Sequence, residues 1–404
     1  MLKYFLTFGT DVKPQTFASP TKIELGIYNA VAYVEGAPVK FDGYLERVEA
    51  EKGFLQAVHS VNSPFEPFFS KVNELTHFLA ESEDFCSGVL FDDDVVLFRD
   101  FVGLIPFFAG GHPFTITNVK REAIIHGLVP LEPGTIYDVK TGEKKNYHQQ
   151  PHVRTDVNNF IDALRGAVRK FCPPKTAVFF SGGIDSLILA KIIVDAGLSP
   201  LLLTVGRAQS TDLRSAEKAA KTIGLDAVKI VVDSNDVQRS VAELEKVLGP
   251  LKPMDAAIGA AMHILSTMAS EQGYYCAVIG QGADEVFGGY KKYENVLQRE
   301  GYDGLHRSLM HDFSMLGLEG LVRDFTAVRL GGAYPLPLYL TKTVLSMGLN
   351  LPVTSKLTII DGRIVRKHFL RLVCRELGLL EYVDVGKKAL QYGSGIEKLV
   401  KRLR

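Results

Sequence analysis

From about residue 155 onward, short and nearly unbroken apolar runs alternate with segments of helical period. AVFF (177–180) is followed by an apolar-periodic segment from Leu187, LLLTV (201–205) by a helical pattern over about 212–223, and AVKIVV (227–232) by another from about Val237. A further helical pattern over about 255–269 leads into AVI (277–279). This alternation predicts βαβ units and a parallel sheet, and the unbroken apolar strands predict cover on both sheet faces. Before residue 150 the pattern is different. Runs such as VAYV, GVLF, VVLF and FTITNV are separated by Gly, Pro and Asp, which predicts a β-rich unit with few long helices. Between the two lies GLVPLEPGTIYDVKTGEKKNYHQQP (127–151), rich in breakers. The expected division is therefore a first domain over 1–150 and a second over 151–404.

Composition narrows the class. The chain has 404 residues, 46% of them hydrophobic, which is enough for two cores. Lys plus Arg and Asp plus Glu are both 46, so no overall field favours nucleic acid or an acidic membrane surface. The four cysteines, Cys86, Cys172, Cys276 and Cys374, are widely spaced and argue against a zinc site or a disulfide scaffold. MLKYFLTFGTDV lacks the features of a secretory leader, and no apolar run reaches about 18 residues. The expectation is a soluble cytoplasmic protein that does not enter a membrane.

Ligands of parallel sheets sit at the carboxyl ends of the strands, so the residues just after each strand matter most. After AVFF comes SGGIDS (181–186), where a helix is expected to open. Gly182 and Gly183 allow a sharp turn with bare amides, and a helix start adds unpaired N–H groups, a cradle for an anion. Ser181 and Ser186 add hydroxyls. Asp185 would repel a phosphate unless a divalent cation lay between them, and magnesium is the natural bridge. A tight connection with no ligand is the alternative reading. The turn lacks the GxxxxGK[ST] pattern of kinase-type loops, which disfavours γ-phosphate transfer. After AVI comes GQGADEVFGGY (280–290), whose four glycines, Gly280 among them, predict an irregular loop rather than a helix or strand interior. Asp284 in this loop is positioned to meet Asp185 and complete a magnesium site with a pyrophosphate; a solvated acidic turn is the alternative.

SGGIDS after an apolar strand resembles the SGGxDS loop of the N-type ATP pyrophosphatases. GQGADEVFGGY is similar to GEGADELFGGY of the asparagine synthetase B family, a narrower group. KHFLRLVCRELGLLEYVDVGKKALQYGSGIEKLV (367–400) resembles that family's carboxy-terminal tail, most closely in its short archaeal members and the animal asparagine synthetase domain-containing type. The resemblance covers roughly residues 155–400. It implies a doubly wound α/β domain of the adenine nucleotide α-hydrolase (PP-loop) type that binds ATP and magnesium. Ser181, Gly182, Gly183, Asp185, Ser186 and Gly280 would hold the nucleotide, Asp185 and Asp284 the metal, and Lys387, or its neighbour Lys388, the leaving pyrophosphate. Leu203, Val205 and Gly206, at the end of the second strand in LLLTVGRAQSTDLRSAEKAAKTIG, would form the wall for the base. The implied reaction adenylates a small carboxylate, aspartate in the parent enzymes, and passes it to an amine.

The sequence also departs from the family. Gln281 stands where the family has Glu, and glutamine cannot take up a proton at neutral pH. GGAYPLPLYLT (331–341) aligns with the family's GxExRxPFLD and leaves Ala333, Pro335 and Leu340 for Glu, Arg and Asp. In the first domain, LFRDFVGLIPFFAG (97–110) and LEPGTIYDVKTGE (131–143) resemble segments of the family's amino-terminal glutaminase. Leu2 replaces the cysteine nucleophile, and Cys86 reads as a small buried hydrophobe. The first domain is thus expected to be a degenerate Ntn-type glutaminase fold of α+β type, with no glutaminase activity, and free ammonia is the expected nitrogen source. Three functional readings remain open: an asparagine synthetase-like ligase, a ligase with another carboxylate or a tRNA base as acceptor, and a nucleotide-binding scaffold without turnover. A homodimer is compatible with each.

Overall fold

The computed structural model describes residues 3–8, 13–25, 30–35, 39–41, 44–51, 54–61, 75, 78–80, 85–91, 95–147, 153, 155–383 and 394–403. The chain divides into two compact units. One is Met1–Gln149 with Ala242–Leu251 and Gly317–Thr326; the other is Gln150–Val241, Lys252–Leu316 and Ala327–Arg404.

The first unit holds two antiparallel sheets. One has six strands in the order Val129–Pro130, Phe108–Gly110, Thr115–Thr117, Lys3–Phe8, Ala30–Glu35, Thr21–Leu25. The other has seven, in the order Lys144–Asn146, Thr135–Asp138, Val95–Phe98, Phe85–Phe91, Phe54–Val61, Tyr44–Glu51, Val39–Phe41. Tyr4, Leu6, Ala109 and Ile116 from the first sheet pack with Val89, Val95 and Leu97 from the second, so the inward positions of both sheets share one core. Cys86 is 1% exposed within Phe85–Phe91, as expected of a small hydrophobe. Where the chain turns between the sheets, Arg99 and Asp100 are fully buried.

The second unit is built on a five-stranded parallel sheet. Its spatial order is Ala227–Val231, Leu201–Gly206, Thr176–Phe179, Cys276–Val278, Tyr334–Leu336. Each pair is in parallel register, for example Val178 with Leu202 on one side and with Val278 on the other. In sequence order this reads 3-2-1-4-5, a doubly wound sheet whose direction of winding reverses between Thr176–Phe179 and Cys276–Val278. The expected strands and helices are present with shifted ends. The helix expected from Val237 starts at Ser234, because Asp233 Oδ1 accepts the N–H groups of Asn235 and Asp236 and caps it earlier. Complete cover of the sheet does not extend to its edge. Val228 and Val231 are 39% and 58% exposed because Ala227–Val231 is the outermost strand. Among the described residues, no helix is long and apolar enough to cross a membrane.

Candidate active site at the strand ends

The crevice expected where the winding reverses is formed by the two glycine-rich loops. The strand Thr176–Phe179 continues into Phe180, whose N–H donates to Leu203 O, and then into the SGG turn. Gly182 has φ of +73°, and a Cβ there would lie 2.5 Å from the backbone of Ser215. Only glycine fits both the left-handed backbone and this close approach to the helix Thr211–Thr222. The helix Ile184–Asp195 starts from Gly183, which offers no side-chain cap. A helix start without a side-chain cap is the kind that suits an anion. Gly183 N–H donates to Ser181 Oγ at 3.3 Å, and Ser186 Oγ donates to Gly183 O at 3.2 Å, so both serine hydroxyls face the turn.

The second loop contains a short helix that the density of glycines concealed. Ala283–Phe287 is helical between Gly282 and Gly288, whose φ angles are +85° and +73°. The glycines flank the turn rather than interrupt it, the left-handed one at the end acting as its terminator. Asp284 and Glu285 lie in its first turn. A Cβ on Gly280 would meet Asp185 Cβ at 3.4 Å, so the two loops are in close contact.

Asp185 and Asp284 do come together, and a lysine joins them. Lys367 Nζ lies 2.5 Å from Asp185 Oδ1 and 2.7 Å from Asp284 Oδ1, and the lysine side chain is only 2% exposed. A Cβ on Gly289 would collide with both Asp284 and Lys367, so GGY supplies the room for this ion cluster. Lys367 was not among the expected site residues, although it opens the tail segment quoted for its family likeness. Its signal was a lysine directly before a strongly amphipathic helix, His368–Glu376, which sequence alone does not separate from a surface cation.

An aromatic cluster holds the ion cluster in place. Phe287 packs edge-to-face on Phe160 (5.4 Å between centroids) and on Tyr339 (5.8 Å), and stacks with Phe369 at 6.2 Å. Phe160 also meets Phe369 edge-on. Phe287 follows Asp284 by three residues and Phe369 follows Lys367 by two. Tyr339 OH donates to Asp185 O at 3.0 Å. Asp284 and Lys367 are thus each tied to a buried ring near them in sequence, and Asp185 through its carbonyl to the distant Tyr339, which limits their freedom before any ligand arrives. Beside them Glu285, 8% exposed, accepts from Tyr290 OH at 2.5 Å. Burial, and then the neighbouring Asp284, push its carboxyl upward from the usual range.

The remaining expected residues fall into three groups. Gly206 lies at a strand end where a Cβ would meet Ser210 Oγ and Ser394 O, and Arg207 N–H donates to Ser394 O. The end of the GSG tail therefore returns to the second strand. Leu203 and Val205 are fully buried, so only their backbone could contribute to a base wall. Lys387 and Lys388 lie outside the described residues. Gln281 is partly exposed in the second loop, and Leu340 packs directly on Gly282, where an added Cβ would meet its Cδ2 at 2.2 Å.

Comparison with known proteins finds relatives of part of the chain. Residues 159–334 match the asparagine synthase family model. This segment, a little under half of the chain, is similar to asparagine synthase domains. A Methanocaldococcus jannaschii relative, provisionally named a glutamine-hydrolyzing asparagine synthetase 1, is 28% identical over 70% of this chain and 55% of its own. The human asparagine synthetase domain-containing protein 1 is 24% identical over 62% and 53%, and Escherichia coli asparagine synthetase B is 23% identical over 73% and 58%. The chain thus spans a little over half the length of these curated relatives. Among solved structures, the NMN synthetase of Francisella tularensis overlaps 47% of this chain and 91% of its own at 14% identity, with a TM-score of 0.26. The doubly wound assignment stands on the sheet order itself.

Proposed function

We propose that the asparagine synthase-like domain binds ATP at the SGGIDS turn and cleaves it between the α and β phosphates to adenylate a carboxylate, which ammonia then converts to an amide. The observation that carries this reading is the meeting of Asp185 and Asp284 on one cationic centre at the reversal of the sheet. The uncapped helix start and the two serine hydroxyls form the cradle for the phosphates. Free ammonia is the proposed nitrogen source in this reading.

The donor set fits magnesium. Two carboxylates already point at one cation, the Lys367 ammonium, and magnesium commonly takes one or two carboxylates plus substrate phosphates. Asp185 and Asp284 would hold it, and when bound it would offset charge on the phosphate oxygens. Lys367 then has a role of its own. Its ammonium holds the carboxylates together in the free protein and can turn to a β-phosphate oxygen as pyrophosphate leaves. Lys387 is the second proposed pyrophosphate ligand. Tyr339, through Asp185 O, fixes the start of the phosphate-binding helix.

The acceptor is proposed to be aspartate. Leu340, packed on Gly282, favours a second reading in which the acceptor carries less charge than aspartate, because an apolar side chain occupies the position aligned with the family's carboxylate. The deciding experiment incubates the purified protein with ATP, magnesium, ammonium and aspartate. Equal amounts of AMP, pyrophosphate and asparagine are expected. AMP that forms only with other carboxylates would move the protein to the second reading, and no AMP with any carboxylate would refute adenylation.

A further inference from the structure

A second cationic recess lies on the helix that follows Lys367. The helix His368–Glu376 places His368, Arg371, Leu372 and Arg375 at spacings of three, four and seven, hence on one face. Opposite them, the hairpin Thr358–Ile360 with Arg363–Val365 turns at Asp361 and Gly362, with φ of +49° and +73°. Together with Val383 they line a half-open cavity of about 490 Å³. That volume suits a small ligand.

The charges around it are out of balance. Among the described residues, three arginines, Arg363, Arg371 and Arg375, and one carboxylate, Asp361, line it, a net of two positive charges. Arg371 is pinned in place, donating from Nε to Arg366 O at 2.9 Å and from Nη1 to Val383 O. Among the described residues neither Arg363 nor Arg375 forms an ion pair. Burial, and then Arg371 and Arg375, push the His368 imidazole below its usual value, which keeps a further ring donor in the cavity without a charge. Arginine forks of this kind match phosphate oxygens two at a time. Ile360, Val365 and Leu372 line the remaining wall and offer contact to an apolar body.

We propose that this cavity binds a phosphate monoester of a small molecule, at a site distinct from the one for the ATP phosphates. A doubly charged monoester offsets the net charge of two, whereas a singly charged diester of a nucleic-acid backbone leaves half of it unmatched.

The test uses the full chain with its nucleotide site saturated by a non-hydrolysable ATP analogue and magnesium, titrated calorimetrically with phenyl phosphate. One equivalent is expected to bind. Arg363→Gln/Arg375→Gln is expected to weaken phenyl phosphate at least tenfold while changing the melting temperature little and the affinity for the ATP analogue less than twofold. Absence of binding to the wild type, or equal affinity in both proteins, would overturn the site. Tighter binding of succinate, or of a short oligonucleotide, with the same dependence on the two arginines would overturn the assignment to a phosphate monoester. Because the ATP analogue is measured separately, failure here leaves the proposed reaction untouched.

Discussion

Each unit contains a buried ionic cluster, and the two are built for opposite ends. In the first, Arg99 is fully buried and donates to four carbonyls, of Ile105, Leu131, Gly103 and Gly317. Its neighbour Asp100 accepts from Ser87 Oγ and from the N–H groups of Val102, Leu104 and Ile105. Guanidinium and carboxylate are both engaged on every side by protein groups, and Gly103, where a Cβ would press on Arg99, leaves no room for a ligand. In the second unit one ammonium, Lys367, faces two carboxylates that are 16% and 20% exposed, beside an uncapped helix start. Charges whose hydrogen-bonding capacity is used up inside the protein serve as architecture. Charges left with an excess of one sign at the mouth of a sheet are available for chemistry.

The largest effect expected from breaking this contrast is in the first unit. Arg99→Met leaves three buried carbonyls and a partly buried one without this donor, at roughly 1–3 kcal/mol for each unmet buried group. A loss of stability of about 4 kcal/mol or more is expected in denaturant titration, with the ATP affinity of the protein that remains folded unchanged. A variant with wild-type stability would refute the architectural role. Lys367→Met comes next. Removing one partner of a buried ion cluster costs about 3–5 kcal/mol, with the upper end tempered by the partial exposure of the carboxylates. Magnesium alone is expected to restore more stability to this variant than to the wild type, because it replaces the missing cation. Equal magnesium shifts in melting temperature would argue against a metal between Asp185 and Asp284.

Lys356 tests the same idea from the opposite side. It is 3% exposed, forms no ion pair among the described residues, and burial pushes its ammonium down from 10.5 to about 8. Above pH 8 the folded protein releases a proton that the unfolded chain keeps up to about 10.5. The penalty of burying the charge is thus complete below pH 8 and fades between 8 and 10.5. Lys356→Met is expected to stabilise the protein at pH 7 by about 3 kcal/mol, from 1.4 kcal/mol per pH unit, and the gain should shrink as pH rises through that window. A gain independent of pH would show that the lysine is not charged where it lies. The smallest effect is that of Asp185→Asn, which keeps shape and removes charge. Magnesium-dependent ATP binding is expected to weaken more than fourfold, and unchanged affinity would rule out Asp185 as a metal ligand.

Although it did not determine the fifth strand, Tyr334–Leu336, the sequence by itself determined the first four strands of the second unit, the helices between them and the two loops at their ends. These depend on local properties: apolar runs, cap residues and glycines that permit positive φ, as at Gly182 and Gly282. The tertiary structure decided which charges meet. Lys367 lies 182 residues beyond Asp185 and 83 beyond Asp284, and no periodicity links positions so far apart. It reaches them because Phe369 packs against Phe160 and Phe287. The segments 242–251 and 317–326 join the first unit for a similar reason, through long-range bonds such as Arg121 to Glu245 O and Arg99 to Gly317 O. The exposure of Val228 and Val231 follows from the edge position of their strand, which the apolar pattern does not encode. Local sequence sets the conformation of each loop, but the packing of distant aromatic side chains sets the electrostatic environment between them.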